Sequence, residues 1–343
     1  MGTTLNRRAL LGASAAFTLM KSAPTLAGGQ LVVGTFGGDY GEELQAQIDK
    51  PFLAARGIDV QQDIATQDPR KTKLIAERSF KHGSMDVAAL SAVDTYTLAQ
   101  MNIWDAVTPA TVPRLKHVIA NLGSPFSIPH IVTGMVLLYN PDRVKPAPKA
   151  FADMWDPKYK GRVGLSDIVP LYNFAFAALA FGGGMANFDP GKPKLKELRA
   201  QGVRIYPSNE ALAVALKSEE IWLTPMYLSR AGQWRAAGVL VDHVVPEEGA
   251  IPYISSAAVP KNAPNKENAF MYLDLMLDPK VQAAFSKRMF YAPTVDDAEL
   301  PADLMKRVGF TPEQQAKFNI PDYDYLAKNT PQLMDWWNRD FKG

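Results

Sequence analysis

The side chains that most often carry enzyme chemistry are few in this sequence and are not grouped. The chain of 343 residues contains no cysteine, and its four histidines, His82, His117, His130 and His243, lack the spacing of a metal site. No nucleophile-elbow, zinc-protease or phosphate-loop signature occurs. The glycines at 182–184 follow a predicted helix, which favours a helix C-cap and turn over a phosphate cradle. We therefore expect no enzyme, no metal site and no cofactor.

Polar side chains follow two predicted strands at positions where a ligand site can form. Residues 36–40 come after the first apolar run, and residues 91–94 after the third, with Ser91 and Asp94 in the spacing of a helix-capping box. In sheets of alternating strands and helices, ligands lie beyond the carboxyl ends of the strands, where helix N-termini point. These two loops are the first candidates for binding a small molecule.

The elements that would position these loops form two blocks of alternating strands and helices. The first covers about residues 30–94 and the second about residues 142–249, and this alternation predicts a mostly parallel sheet. Apolar strand runs at 131–139 and 253–259 flank the second block. This arrangement predicts a chain that crosses into a second lobe and returns. Helices dominate after the return, and the last is predicted over residues 330–341.

The first 27 residues have the pattern of a signal peptide. Arg7 and Arg8 precede an apolar stretch, Lys21 follows it, and small residues end at Ala27. The stretch is too short to cross a bilayer, which needs about 20 residues. The paired arginines resemble a twin-arginine signal, but the general secretory route stays open. We expect a protein exported to the periplasm.

The charge balance favours neither a nucleic acid nor an anionic membrane as partner. The chain has 37 basic and 35 acidic residues, and removal of residues 1–27 would take away three basic ones and leave 34 against 35. Because no disulfide is available, the core must be stable by packing alone, which a chain of this length allows for two lobes. A monomer is the default expectation.

Several segments occur in an order and spacing that resemble a known family. They are residues 35–40 (TFGGDY), 134–140 (GMVLLYN), 154–163 (MWDPKYKGRV), 221–222 (IW), 246–249 (PEEG), 259–267 (VPKNAPNKE) and 277–279 (LDP). Together they resemble the spermidine/putrescine-binding branch of the periplasmic solute-binding proteins of ABC importers. The resemblance covers nearly all of the chain after residue 27.

The resemblance implies a fold and a division into domains. The fold is the α/β, two-lobed periplasmic-binding-protein fold of type II, in which two crossover strands form the hinge. Lobe 1 would comprise residues 28–130 and 260–343, lobe 2 residues 140–250, and the hinge crossings residues 131–139 and 251–259. The ligand would lie in the cleft and pass to an inner-membrane ABC permease that a cytoplasmic ATPase drives.

Eight residues are candidate ligand contacts on the basis of this resemblance. Aromatic rings would stack on the solute or attract a cation, the aspartates would pair an amine, and the serines would orient polar groups. Arg230 would clamp a carboxylate. Core packing of each aromatic, and an exposed Arg230 lying over Trp234, remain alternatives. The candidates are Asp39, Tyr40, Ser91, Asp167, Trp222, Arg230, Tyr253 and Ser255.

The sequence departs from the family where a polyamine would be held. Family carboxylates after Asp167 are replaced by Ile168 and Leu171, the one after the return-strand aromatic by Ser255, and an aromatic by Val93. A doubly charged polyamine would leave an ammonium group without a partner, which is unfavourable once it is desolvated. We therefore expect a smaller solute, such as a monoamine, an amino-acid-like compound or a carboxylate. A ferric ion is not expected, because no tyrosine pair occurs.

Two other functions stay open from the sequence. One is an exported enzyme on the same bilobed scaffold, which turnover of a candidate substrate would reveal. The other is a ligand sensor that docks onto a membrane receptor, which gene neighbourhood would indicate.

Overall fold

A computed structural model describes residues 29–343, in which strands and helices alternate over most of the chain. The signal-peptide prediction for residues 1–27 lies outside the described residues. The strands are β1 (Gln30–Thr35), β2 (Asp59–Ile64), β3 (Val87–Ser91), β4 (Ile128–Tyr139), β5 (Gly164–Ser166), β6 (Arg204–Tyr206), β7 (Leu223–Tyr227), β8 (Asp242–Val244) and β9 (Ile251–Ala258). The helices are α1 (Asp39–Leu44), α2 (Gln67–Glu77), α3 (Ala92–Ala99), α4 (Pro170–Ala180), α5 (Gly191–Ala200), α6 (Asn209–Lys217), α7 (Leu228–Ala236), α8 (Lys266–Met276), α9 (Pro279–Met289), α10 (Ala302–Val308), α11 (Pro312–Ala316) and α12 (Tyr323–Trp336). No helix within residues 29–343 has both the length and the apolar character that a membrane span requires.

Capping side chains explain where several helices begin and end. Ser91 accepts a hydrogen bond from the backbone of Asp94 at the start of α3, as its spacing predicts. Thr311 forms a capping box with Gln314 at the start of α11, and Asp322 caps α12. The turns that continue α1 end at Gly57, whose φ of 73° suits glycine.

A mixed sheet runs through both lobes of the described chain. Its strand order is β2–β1–β3–β9–β4–β7, with β8 beside β4. β1 pairs in parallel with β2 and β3, and β5 pairs in parallel with β6. The pairs that β4 and β9 make are antiparallel. The prediction of a mostly parallel sheet therefore holds within each block and not for the whole sheet, because the crossing strands run in opposite directions.

β4 and β9 connect the two lobes. All twelve residues of β4 are buried; Ile128 and Ile131 pack in the core of lobe 1, and Met135 and the residues after it pack in the core of lobe 2. β9 runs the other way, from Ile251 in the lobe 2 core to Ala257 in the lobe 1 core. The prediction of two α/β lobes joined by two crossing strands is confirmed.

The last 42 residues lie differently from the expected assignment. Residues 260–343 were expected in lobe 1, but from α10 onwards the chain packs on lobe 2. Phe310, Leu326 and Trp337 are buried in the lobe 2 core, and the backbone N–H of Asn319 donates to the carbonyl of Ala250 at 2.9 Å. The chain therefore passes between the lobes a third time, because the apolar face of α12 completes the lobe 2 core.

Candidate ligand-binding cleft

A cleft of about 700 Å³ lies between the lobes. Lobe 1 contributes α2 and the first turns of α3, and lobe 2 contributes the turn from β5 into α4 and the end of β7. β9 supplies further lining at residues 252–254, and α12 forms a fourth side. The size is typical of sites for small organic molecules.

The lobe 1 side of the cleft holds a cation between carboxylates. The Lys71 ammonium lies 2.9 Å from Asp94 Oδ1 and 3.2 Å from Asp68 Oδ1. The Ser91 hydroxyl donates to Asp94 Oδ2 at 3.0 Å. Burial by itself lowers the pKa of Lys71, but the hydrogen bonds to Asp94 and Asp68 outweigh it and raise the pKa overall. Lys71 is thus charged, and an ammonium group with three N–H donors has one left for a solute.

On the lobe 2 side of the cleft, the negative charge of the predicted ligand residue Asp167 is already compensated within the protein. Asp167 accepts hydrogen bonds from the Trp337 indole at 2.7 Å and from the Lys342 ammonium at 3.0 Å. Ile168, the next residue, is 55% exposed on the cleft. A cationic solute therefore meets an apolar and internally neutralised surface on this lobe.

Tyrosine rings from three elements line the cleft where lobe 2 meets β9. The ring centroids of Tyr172 and Tyr227 are 5.5 Å apart, and those of Tyr227 and Tyr253 are 5.4 Å apart. Burial raises the pKa of all three hydroxyls, so they stay protonated as hydrogen-bond donors. Their faces can stack on a planar group or attract a cation.

Three of the eight predicted contact residues line this cleft: Ser91, Asp167 and Tyr253. Their elements explain this grouping. Ser91 ends β3, Asp167 follows β5, and Tyr253 lies on a crossing strand. Of these, Asp167 is bound to the chain's own C-terminal residues, so it cannot pair with a solute amine without losing those partners.

Asp39 and Tyr40 do not line the cleft. Asp39 is exposed and forms an ion pair with Arg288 at 2.9 Å. Tyr40 is buried in the lobe 1 core, where its hydroxyl lies 2.6 Å from His130 Nδ1 and its ring contacts Phe285. Burial lowers the pKa of His130 to about 3, so the imidazole is neutral where its Nδ1 and the Tyr40 hydroxyl share this hydrogen bond. Tyr40 is held by the core because His130 offers it a buried hydrogen-bond partner.

Trp222, Arg230 and Ser255 also lie outside the cleft lining. The guanidinium of Arg162 covers the Trp222 ring at 4.8 Å, and Arg230 donates to Gln233 on the same helix at 2.9 Å. Ser255 is buried opposite Ser91 in the strand register. Local stacking, a helix-surface contact and burial in the sheet account for these three positions.

Several cleft residues were not predicted. Lys71 lies on α2, within the first predicted block of strands and helices, but the sequence did not show which face of this helix would line the cleft. Tyr227 and Tyr172 lie at the end of β7 and at the start of the helix after β5, so the strand-end rule applied to the second block would have found them. The residues of α12 carry no such signal.

One group of potential metal ligands lies outside the cleft, among the described residues of lobe 1. His117 Nδ1 is 3.1 Å from Asp296 and its Nε2 is 3.5 Å from Asp297. A metal ligand needs a ring nitrogen with a free lone pair. Both aspartates are exposed, and exposed acidic groups of this kind are common without a metal ion.

Comparison with known proteins shows that most of the chain is similar to bacterial solute-binding proteins. A family model described as bacterial extracellular solute-binding protein matches residues 97–329. The spermidine/putrescine-binding periplasmic protein of Escherichia coli is 24% identical over 242 residues, which are 66% of this chain and 68% of that protein. The fold is similar to an ABC transporter protein from Clostridium perfringens, with a TM-score of 0.80 at 20% identity over 90% of this chain and 99% of that one. PotD, the spermidine/putrescine substrate-binding protein of Streptococcus pneumoniae, gives a TM-score of 0.74 at 17% identity over 90% and 98%. These structures confirm the periplasmic-binding-protein fold.

Proposed function

The chain belongs to the family of bacterial extracellular solute-binding proteins, and from this membership we propose that it captures a small organic solute in the cleft and delivers it to an ABC permease. The observation that carries the proposal is a cleft whose sides come from both lobes and from a crossing strand. Closure about the two crossing strands would bury a guest and present both lobe surfaces to the permease. In this proposal the protein acts as an exported monomer in the periplasm.

The proposed solute carries one amine or none, and a carboxylate suits it. Lys71 places a positive charge inside the cleft and retains one donor for an anionic oxygen. Asp68 and Asp94 share that cation, which leaves charge for a single ammonium group. The tyrosine rings cover the rest of a small organic body. The Escherichia coli relative is named for polyamines. A polyamine in this cleft would meet the positive charge of Lys71 and an Asp167 whose charge is already neutralised by Lys342.

We propose further that the bound solute leaves unchanged. Among the lining residues that the structure describes there is no histidine or cysteine, and Ser91 is hydrogen-bonded to an aspartate already paired with a lysine. A serine nucleophile needs an adjacent free base. Recovery of the solute in its original form after long incubation supports binding alone, and its conversion would support an enzyme.

A thermal-shift screen of residues 28–343 tests the proposal. Polyamines, monoamines, amino acids and organic acids are compared, and a solute at a hundred times its dissociation constant stabilises the native state by about 2.7 kcal/mol. Stabilisation by a monoamine, amino acid or carboxylate, lost in Tyr253→Ala, is the expected result. Stabilisation by spermidine alone would contradict the solute class, and no stabilisation by any class would contradict the capture function.

A further inference from the structure

The C-terminal helix α12 presents one face to the cleft. Ala327 lies four residues after Tyr323, and the lining residues that follow keep helical spacing. The Thr330 hydroxyl donates to the carbonyl of Leu326 at 2.6 Å, so this face offers the solute mainly apolar atoms. The lining residues of the helix are Tyr323, Ala327, Thr330, Pro331 and Met334.

The other face of α12 is fixed to lobe 2. Leu326 and Leu333 are buried in the lobe 2 core, and the Tyr325 hydroxyl accepts a hydrogen bond from the backbone of Phe188 at 3.1 Å. After the helix, Trp337 and Lys342 both bind Asp167. α12 must therefore move with lobe 2 when the lobes open or close.

The first turn of α12 contacts lobe 1. The Tyr96 hydroxyl, on α3, donates to Asp324 Oδ1 at 2.7 Å, and the rings of Tyr96 and Tyr323 have centroids 5.5 Å apart. Hydrogen bonds to an ionised acceptor are stronger than neutral ones. This contact joins the lobes without a covalent connection, so it can form in the closed protein and break on opening.

We propose that the cleft-facing side of α12 is a wall that limits solute length, and that the Tyr96–Asp324 hydrogen bond positions this wall against lobe 1. The part concerning length rests on the proposed function, since it assumes a solute in the cleft. A side chain longer than Ala327 would fill part of the cleft, and a side chain shorter than Met334 would enlarge it. Tyr96 and Asp324 act as positioning residues on this wall.

The length of the accepted solute tests the wall directly. The probes are unbranched ω-amino acids of three to six carbons and unbranched primary amines of the same lengths, measured by calorimetry. Ala327→Leu is expected to weaken binding of the longest accepted probe roughly tenfold more than that of the shortest, and Met334→Ala to favour a longer probe. Gln332→Ala, an exposed position on the same helix, is the matched control and keeps the parent ranking. The parent ranking in all variants would overturn the proposal.

A distance measurement without any solute tests the positioning contact. The chain has no cysteine, so spin labels at Lys81→Cys in lobe 1 and Lys217→Cys in lobe 2 report the lobe separation. Tyr96→Phe and Asp324→Ala are expected to shift the distances to longer values. Asp335→Asn, which breaks an exposed pair with Arg339 on the far end of the helix, should leave them unchanged.

The two measurements separate failure of this proposal from failure of the proposed function. Distance distributions of Tyr96→Phe and Asp324→Ala that coincide with the parent would overturn the proposal. If no probe binds the parent protein, the proposed solute class fails, and the distance measurement alone decides the role of α12.

Discussion

Lys71 illustrates how single charges in the cleft decide which solute fits. Its ammonium group lies between Asp94 and Asp68 on the lobe 1 side, where a polyamine-binding site would need carboxylates free of internal partners. In the sequence, polyamines were already disfavoured because Ile168, Leu171 and Ser255 stand where the family has carboxylates. The structure adds a second reason, because a cation is present and Asp167 is already bound.

Replacement of Lys71 tests whether the cleft takes an anionic group. In Lys71→Gln, the affinity for a carboxylate-bearing solute is expected to fall about tenfold, or about 1.4 kcal/mol. The affinity for a monoamine should rise because Asp94 is released. Calorimetry with the best acid and the best amine from the screen measures both. Lys73→Gln, on the same helix and paired with Asp63 at 2.7 Å outside the cleft, is the control; equal losses in both variants would contradict the assignment.

His130 makes the folded state sensitive to acid. Burial lowers its pKa from 6.5 to about 3, so between these values the unfolded chain binds a proton that the folded protein does not. Stability is therefore fully present above pH 6.5 and falls as the pH drops towards 3, by up to about 1.4 kcal/mol per pH unit from this group. Urea unfolding of the parent and of His130→Gln between pH 7 and pH 4 measures the difference. His82→Gln, at an exposed histidine, is the control and should lose stability with falling pH as steeply as the parent. If His130→Gln also lost stability as steeply as the parent, other groups would be the cause of the acid sensitivity.

The position of Tyr40 shows why sequence alone could not separate ligand aromatics from core aromatics. Tyr40 follows a strand end, as a ligand residue should, but its partner His130 is 90 residues away in the sequence. Ser91 was predicted correctly as a helix cap because its partner, Asp94, is three residues away. Local hydrogen bonds can be derived from spacing, whereas a buried pair across the fold depends on how the elements pack.

At the level of elements, prediction succeeded where hydrophobic periodicity and capping agreed. β4 and β9 lie where the apolar runs at 131–139 and 253–259 predicted crossing strands, although the strands begin earlier, at Ile128 and Ile251. The last helix was predicted over residues 330–341. Instead it begins at Tyr323 and includes Pro331. Burial of Leu326 and Leu333 in the lobe 2 core stabilises a helix that local propensity would interrupt.

Gly249 tests how the segment after α11 is fitted to lobe 2. Its φ is 90°, and a Cβ there would clash with the carbonyl oxygen of Lys317. Gly249→Ala is expected to lower the free energy of unfolding by more than the conformational penalty alone, which is about 1 kcal/mol. Gly161→Ala is the matched control, since φ is 70° and nothing lies within 4 Å of the added Cβ. Equal losses in chemical denaturation would show that the contact with Lys317 does not matter.

For the whole molecule, family resemblance predicted two lobes and their crossing strands, but it misplaced the C-terminal segment. The order of motifs ends at residue 279 in the sequence-based comparison, and beyond it only helix patterns were available. An amphipathic helix can bury its apolar stripe against either lobe. The choice of lobe 2 comes from long-range contacts such as Phe174 with Trp337, whose ring centroids are 5.9 Å apart.

Hydrogen exchange distinguishes which lobe carries α12. Phe174→Leu weakens the lobe 2 core and Phe285→Leu the lobe 1 core, each by about 1 kcal/mol. Amides open with the cooperative unit to which they belong. Phe174→Leu should therefore speed exchange in Tyr323–Trp336 and leave Lys266–Met276 unchanged, and Phe285→Leu should do the reverse. If exchange in α12 were instead accelerated by Phe285→Leu, the helix would belong to lobe 1. It could then not move relative to Tyr96 when the lobes open and close, and the proposed wall would not form part of lobe 2.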